Sequence, residues 1–248
     1  MRSALAAVAV TFMALSACTY FDGETEPFRP PALQARDEMT GRDLYLRDCA
    51  WCHGSDADGT KYGPPINDGA ASVHFMLTTG RMPIDEPDDR VDRRESFYSS
   101  DEIAKLVDYL GAFVVGPEVP DVHPEEGSLA LGAELYAQNC AACHSGTGVG
   151  GALTNGAEAP AIDGSTPVEV AEAMLTGPGA MPVFGEQTFD DEQVDSILRY
   201  VAALQDPDDR GGSDLGGIGP VSEGAIAWIL GLGTMLVIAR LIGTRAAE

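Results

Sequence analysis

The chain has 248 residues, the charged and apolar fractions of an ordinary globular protein, and a formal net charge of −24. The acidic excess lies between residues 19 and 220 rather than at the ends; it disfavours nucleic acid and anionic lipid surfaces and favours a positively charged partner, with a solvated acidic surface kept for solubility as the alternative. Four of the five cysteines sit in two C-x-x-C-H stretches, so no disulfide framework is needed to explain them.

Residues 1–18 begin with Arg2, continue as an apolar run from Ala4 to Ala14 and end in Leu15-Ser16-Ala17-Cys18. The run is too short to span a bilayer and fits the h-region of an export signal. Its last four residues resemble a bacterial lipobox, which makes Cys18 a candidate for lipid attachment. An ordinary cleaved signal, or an uncleaved anchor with an incidental cysteine, are the alternatives. Residues 19–36, with Pro27, Pro30 and Pro31, have no apolar period and read as an extended tether. A first domain then spans 37–115, a linker with Pro117, Pro120 and Pro124 spans 116–127, and a second domain spans 128–205.

The two domains are an internal repeat. Gly41-x-x-Leu44-Tyr45-x-x-x-Cys49 returns 91 positions later as Gly132-x-x-Leu135-Tyr136-x-x-x-Cys140. Ile103, Leu106, Val107 and Leu110 return at the same offset as Val194, Ile197, Leu198 and Val201. Both of these sets follow i, i+3, i+4, i+7, which puts four apolar side chains on one helical face, and Ser99-x-x-Glu102 is a capping-box pattern. Each unit therefore opens with a helix that runs into C-x-x-C-H and closes with an amphipathic helix. Strand-like alternation is scarce, and the expected class is mainly α.

The opening helices lead into Cys49-Ala50-Trp51-Cys52-His53 and Cys140-Ala141-Ala142-Cys143-His144. Two cysteines one helical turn apart can each form a thioether with a haem while the next residue offers its imidazole to the iron, so the pattern reads as two covalently bound haem c groups, one per domain. A zinc site would want the pairs nearer each other than Cys52 and Cys140 and needs no histidine after each; a thioredoxin-like motif would want a βαβ context. Units of roughly 80 residues are small for burying an apolar core, and a haem would supply apolar surface to pack against.

Thr79-Gly80-Arg81-Met82-Pro83 and Gly177-Pro178-Gly179-Ala180-Met181-Pro182 each place a methionine before a proline, in a glycine-containing loop between the haem motif and the closing helix. Met82 and Met181 are the expected sixth ligands. Thioether beside imidazole favours reduced iron and suits an electron carrier. Met76 and Met174, in apolar helical runs, read as core. His74 reads as a partly buried structural residue and His123 as solvated; ligation by either is the less favoured alternative.

Residues 206–220 form a linker rich in glycine and aspartate, 221–243 a transmembrane helix and 244–248 a short tail. From Ala225 to Gly243 the chain is apolar except for Thr234 and Arg240, and a helix of this length reaches about 28 Å, close to the hydrocarbon thickness. Arg240 and Arg245 lie at one end and Glu223 at the other, which by the positive-inside rule puts the C-terminus in the cytoplasm and the haem domains on the extracytoplasmic side.

C-x-x-C-H with a downstream Met-Pro loop is the pattern of class I cytochromes c, in which His53 and His144 would be the proximal ligands. Pro64 and Pro160, each two residues before an isoleucine, resemble the family's proline that supports the proximal histidine through its carbonyl. More narrowly, Thr79-Gly80-Arg81-Met82-Pro83, Gly150-Gly151-Ala152-Leu153, Ala173-Met174-Leu175-Thr176-Gly177-Pro178 and Gly216-Gly217-Ile218-Gly219-Pro220-Val221-Ser222-Glu223-Gly224 look like the dihaem cytochrome c subunit of the actinobacterial cytochrome bc complex, over about residues 40–245. The resemblance implies two tandem class I cytochrome c domains plus one C-terminal transmembrane helix. It also implies the electron-transfer subunit of a menaquinol–cytochrome c reductase, with no catalytic site of its own. The implied partners are a cytochrome b subunit, a Rieske iron–sulfur subunit that donates electrons, and a haem–copper terminal oxidase that receives them, in one supercomplex. This family usually has an N-terminal transmembrane segment where the present chain has its lipobox-like end. Readings of another class are a dihaem redox enzyme of peroxidase or thiosulfate-oxidising type, or an independent membrane-bound carrier. Peroxidase chemistry needs an iron with an open position, against which both candidate methionines argue. The charged run from Asp85 to Glu95 has no counterpart in the second domain.

Overall fold

The computed structural model describes residues 35–206 and 220–245. The signal segment, Cys18, nearly all of the tether, most of the 206–220 linker and the last three residues of the tail lie outside the described residues. The chain divides into a unit ending at Glu38, in which Arg36–Glu38 makes one 3-10 turn, and a unit from Met39 onward. The second unit is mainly α-helical.

Its first half holds α1 (Gly41–Asp48), α2 (Ala50–His53), α3 (Gly69–Thr78) and α4 (Ser100–Gly111). Its second half repeats the order as α5 (Leu129–Asn139), α6 (Ala141–His144), α7 (Pro167–Thr176) and α8 (Asp191–Gln205). Reciprocal caps start four of these helices: Thr40 with Asp43, Ser99 with Glu102, Thr166 with Glu169 and Asp190 with Gln193. Each satisfies backbone donors that a helix start leaves without partners.

The glycine that opens each repeat marks where two helices cross. A Cβ on Gly41 would collide with the backbone carbonyl of Lys105 in α4, and one on Gly132 with that of Ser196 in α8, again 91 positions on. The closing helix of each half thus lies directly on the backbone of the opening one. Around the first crossing Leu44, Tyr45, Ile103, Leu106 and Leu110 are buried; around the second, Tyr136, Met174, Phe189, Ile197 and Val201. Each such side chain contributes about 1.5–3 kcal/mol when fully removed from water. Met174 is therefore core as its sequence suggests, while Met76 is only half-buried.

The two halves meet through α3 and α7. His74 of α3 holds Glu172 of α7, Nδ1 to Oε1 at 2.6 Å, so its expected structural role takes the form of a bond between the halves. The 85–95 segment supplies further bridges. The Arg93 guanidinium donates to both oxygens of Glu169 (3.0 and 3.2 Å) and to the Gly164 carbonyl (2.9 Å), and Arg90 lies 3.8 Å from Glu158. His123 is exposed, yet its backbone N–H donates to Asp195 at 2.8 Å, tying the proline linker to α8.

Strand structure among the described residues is confined to a hairpin, β1 (Gly151–Ala152) with β2 (Glu158–Ala159), pairing Gly151 with Ala159 and Ala152 with Glu158. Two-residue strands carry no alternation that a period-2 search detects. The last helix, α9 (Pro220–Arg245), contains Gly224–Gly243, with mean hydropathy 2.1 and exposed side chains, long and apolar enough to cross a membrane. Its one hydroxyl in that stretch, Thr234, donates to the Leu230 carbonyl at 2.6 Å, as a polar group in hydrocarbon must be satisfied within its own segment.

Candidate cofactor site

The two C-x-x-C-H stretches have the same local geometry. Cys49 ends α1 and begins α2 with near-helical angles (φ −115°, ψ −37°), and its carbonyl accepts from Cys52 N–H at 3.1 Å and His53 N–H at 2.9 Å. Cys140 does the same between α5 and α6, accepting from Cys143 at 3.1 Å and His144 at 2.9 Å. Both cysteines of each pair therefore lie on a single turn with the histidine closing it.

Each histidine is oriented by a carbonyl. His53 Nδ1 lies 2.8 Å from Pro64 O, and His144 Nδ1 lies 2.9 Å from Pro160 O. A carbonyl only accepts, so Nδ1 carries the proton and Nε2 keeps its lone pair for a metal. The tyrosines four residues before each first cysteine fix the exit of the turn. Tyr45 Oη donates to Gly54 O at 2.6 Å, and Tyr136 Oη to Ser145 O at 2.8 Å. Their recurrence in the repeat was visible in the sequence, but nothing there told a core tyrosine from one that braces the cysteine turn.

Burial pushes the Cys49 thiol up to about 12 and the Cys140 thiol up to about 11. A thiol–disulfide catalyst lowers its attacking thiol instead. No disulfide joins the four cysteines, and among the described residues no group of three or more His, Cys, Asp or Glu is arranged to hold a bare metal ion.

The methionine loops are held to the helices before them. Met82 N–H donates to Met76 O at 3.0 Å, and Phe184 N–H, three residues after Met181, donates to Met174 O at 2.7 Å. Gly80 in the first loop has φ +63°, and a Cβ there would run into the backbone carbonyls of Arg94 and Glu95. Glycine is thus required where the end of the 85–95 segment crosses the loop. Gly177 takes the left-handed cap of α7 at φ +60°.

The eight residues expected to hold haem, Cys49, Cys52, His53 and Met82 with Cys140, Cys143, His144 and Met181, line one cavity of about 1100 Å³. That exceeds the usual range of roughly 300–1,000 Å³ for a single small-molecule pocket. The wall is largely apolar, with Phe75, Leu77, Val170, Phe184 and Ile197 among its residues. The apolar character of this wall suits a large flat apolar group tethered at each cysteine pair.

One charged side chain on this wall has a nitrogen without a hydrogen-bond partner among the described residues. The Arg81 guanidinium stacks over the Phe75 ring, 4.8 Å from its centroid, and its buried Nη1 lacks a hydrogen-bond acceptor. Burial, with nearby Arg93 adding to it, pulls the Arg81 pKa down. Arg81 stood in the sequence as part of a loop pattern, and its stacking on Phe75 is visible only in the packing.

Comparison with known proteins follows the geometry. The chain is 33% identical over 227 residues to a "Cytochrome bc1 complex cytochrome c subunit" of Corynebacterium diphtheriae, covering 83% of this chain and 80% of that one. To proteins of the same description it is 31% identical in Corynebacterium efficiens (99% and 90% covered) and 36% identical in Mycobacterium leprae (84% and 75% covered). The chain belongs to the family of cytochrome bc1 complex cytochrome c subunits. A likeness spanning 99% of the chain takes in both cysteine turns and the C-terminal helix. The family model "Cytochrome C oxidase, cbb3-type, subunit III" matches residues 127–201, which hold the second turn, His144 and Met181. Cytochrome c subunits of this family and that model thus converge on the half of the chain built from α5 to α8.

Proposed function

We propose that this chain is a membrane-anchored dihaem cytochrome c that relays electrons from the Rieske centre of a menaquinol-oxidising cytochrome bc complex to a haem–copper terminal oxidase. Residues 37–115 and 128–205 are two tandem class I cytochrome c domains. Cys49 and Cys52 would hold one haem c by thioethers, and Cys140 and Cys143 the other. His53 and Met82 would ligate the iron of the first haem, and His144 and Met181 that of the second. Haem c supplies a one-electron couple at iron. The chain's own residues bind, orient and enclose. Pro64 and Pro160 hold the histidine rings with Nε2 available, Tyr45 and Tyr136 fix the backbone after each histidine, and the apolar wall limits water around the site.

The observation that carries this reading is the convergence of both cysteine turns, both oriented histidines and both loop methionines on one cavity. A shared cavity suits transfer within one molecule, where a fixed carrier replaces a diffusional encounter. Membership in the cytochrome bc1 complex family supports the cytochrome b and Rieske subunits as partners. With α9 in the membrane, Arg240 and Arg245 near its end favour a cytoplasmic C-terminus and extracytoplasmic haem domains. Lipidation of Cys18 would give a second anchor.

Affinity capture through the C-terminus from detergent-solubilised membranes tests the assignment. Cytochrome b and Rieske subunits should accompany the chain, and menaquinol should reduce its haems in the captured material. Capture of the chain alone, with haems that menaquinol does not reduce, would contradict it.

A further inference from the structure

We propose that His74 and Glu172 form a redox-linked proton site, which binds one proton from water as an electron enters the cavity behind it and releases that proton as the electron leaves. This rests on the dihaem reading above and adds to it a coupling between charge in the cavity and protonation at the junction of the halves.

The Glu172 side chain is fully buried; its Oε1 takes the 2.6 Å bond from His74 Nδ1, and its Oε2 has no hydrogen-bond partner among the described residues. A buried carboxylate with one oxygen unsatisfied is costly, and a proton on the pair relieves that cost. The proton has a way in. The His74 side chain is 28% exposed and borders a small cleft with Thr78, Ser100, Ile103 and Ala104. An imidazole that gains a proton from water at Nε2 can pass the one on Nδ1 to Glu172, so His74 serves the buried acid although Glu172 meets no solvent itself.

The charges around the pair are already matched. Glu169 of α7 faces both members, and Arg93 of the 85–95 segment holds it at both oxygens, with Arg81 also near it. From α4, Ser100, Ile103 and Ala104 lie beside His74, while Asp101 and Lys105 pair with each other at 2.8 Å. α8 meets α7 through the uncharged Met174, Ile197 and Val201. The hydrogen bond to Glu172 raises the His74 pKa, and burial raises that of Glu172. The two groups titrate as one coupled unit. With one shared proton the unit is neutral overall; without it a buried anion remains.

The pair stands directly behind the cavity wall. Phe75, Met76 and Leu77 follow His74, Val170, Ala173 and Met174 flank Glu172, and all six line the cavity that holds both cysteine turns. One electron added there makes the cavity more negative by one charge and strengthens proton binding at the pair; by reciprocity a bound proton makes that electron easier to add. Two unit charges about 10 Å apart at an effective dielectric of about 20 couple by about tenfold. The balance is one electron from the donor, reducing one ferric iron to ferrous, and one proton from water onto the pair.

The test is spectropotentiometric titration from pH 6 to pH 9 of the purified, haem-loaded, full-length chain and of Glu172→Gln, which keeps an acceptor for His74 but carries no charge. In the wild-type chain at least one haem potential should fall as pH rises, by about tenfold in its equilibrium constant, about 59 mV for a one-electron couple. In Glu172→Gln the fall should shrink to less than about twofold, because a half-buried His74 without its carboxylate is neutral over most of this range. Flat wild-type potentials, or an equal fall in Glu172→Gln, would overturn the proposal; the second result assigns the proton to the haem's own carboxylates. Should Glu172→Gln fail to load haem, His74→Leu/Glu172→Leu, which removes the whole pair, decides by the same criterion: a flattened profile supports the proposal and an unchanged one refutes it. Absence of covalent haem from the wild-type chain would defeat the dihaem reading itself, a separate outcome.

Discussion

His74 and Glu172 occupy matching positions in α3 and α7, each two residues before a methionine and four before a threonine, and they bond to each other across the junction of the two halves at 2.6 Å. Glu172 is fully buried, and its Oε2 has no hydrogen-bond partner among the described residues. Repeat-related positions have thus diverged into a histidine and a glutamate that complete one another. Removing one partner leaves a buried polar group stranded, whereas removing both does not. His74→Leu should therefore destabilise the junction by about 1–3 kcal/mol, and His74→Leu/Glu172→Leu should cost less than the single change. Thermal unfolding of the haem-loaded chains checks this; a double variant worse than His74→Leu would count against it.

The same pair sets a pH dependence. The hydrogen bond to Glu172 raises the His74 pKa, and burial raises that of Glu172 although His74 opposes it; Glu169, facing both and itself held by Arg93, adds to each rise. A raised folded-state pKa means stability fully present below the unfolded value and lost as pH rises, for the acid as for the base. Both groups thus act in one direction, from about pH 4.5 upward for the glutamate and about pH 6.5 upward for the histidine. Hydrogen exchange of α3 and α7 should quicken between pH 6 and pH 9 by more than the intrinsic rate, and His74→Leu should flatten the trend.

Gly41 and Gly132 offer a test with an inverted sign. Alanine in a helix is ordinarily preferred over glycine by about 1 kcal/mol. Here a Cβ meets the carbonyl of Lys105 or Ser196, so Gly41→Ala or Gly132→Ala should destabilise by about 1–3 kcal/mol by forcing the crossing helices apart. A raised melting temperature in either variant would show that the crossing has slack.

Much of this architecture is legible in the sequence because it is written twice. The offset of 91 residues, the i, i+3, i+4, i+7 faces and the Ser99 capping box map onto α4, α8 and their crossings with α1 and α5. The role of Pro64 and Pro160 followed from resemblance, and their carbonyls do meet the histidine rings. What escaped was whatever depends on how the halves meet. Glu172 looks like any helical glutamate until α3 packs against α7. The 85–95 run is a charged stretch without a counterpart in the second domain until Arg93 reaches Glu169. Arg81 is one charge in a loop until its guanidinium lies on Phe75 within the cavity. Long-range packing decides these roles, and local pattern carries no trace of it.

Met181→Ala should leave the thioethers of the second haem intact, lower that haem's potential and slow onward electron flow, with the first haem unaffected. Redox titration and oxidase turnover in membranes read this out; unchanged turnover would remove Met181 from the ligand set.

The most direct test of the central claim is the intact mass of the purified chain, wild type beside Cys140→Ser/Cys143→Ser. The wild-type chain should carry the mass of two haems that survive denaturation, and the double variant one. A wild-type chain with a single haem or none, or a variant that still carries two, would contradict the account.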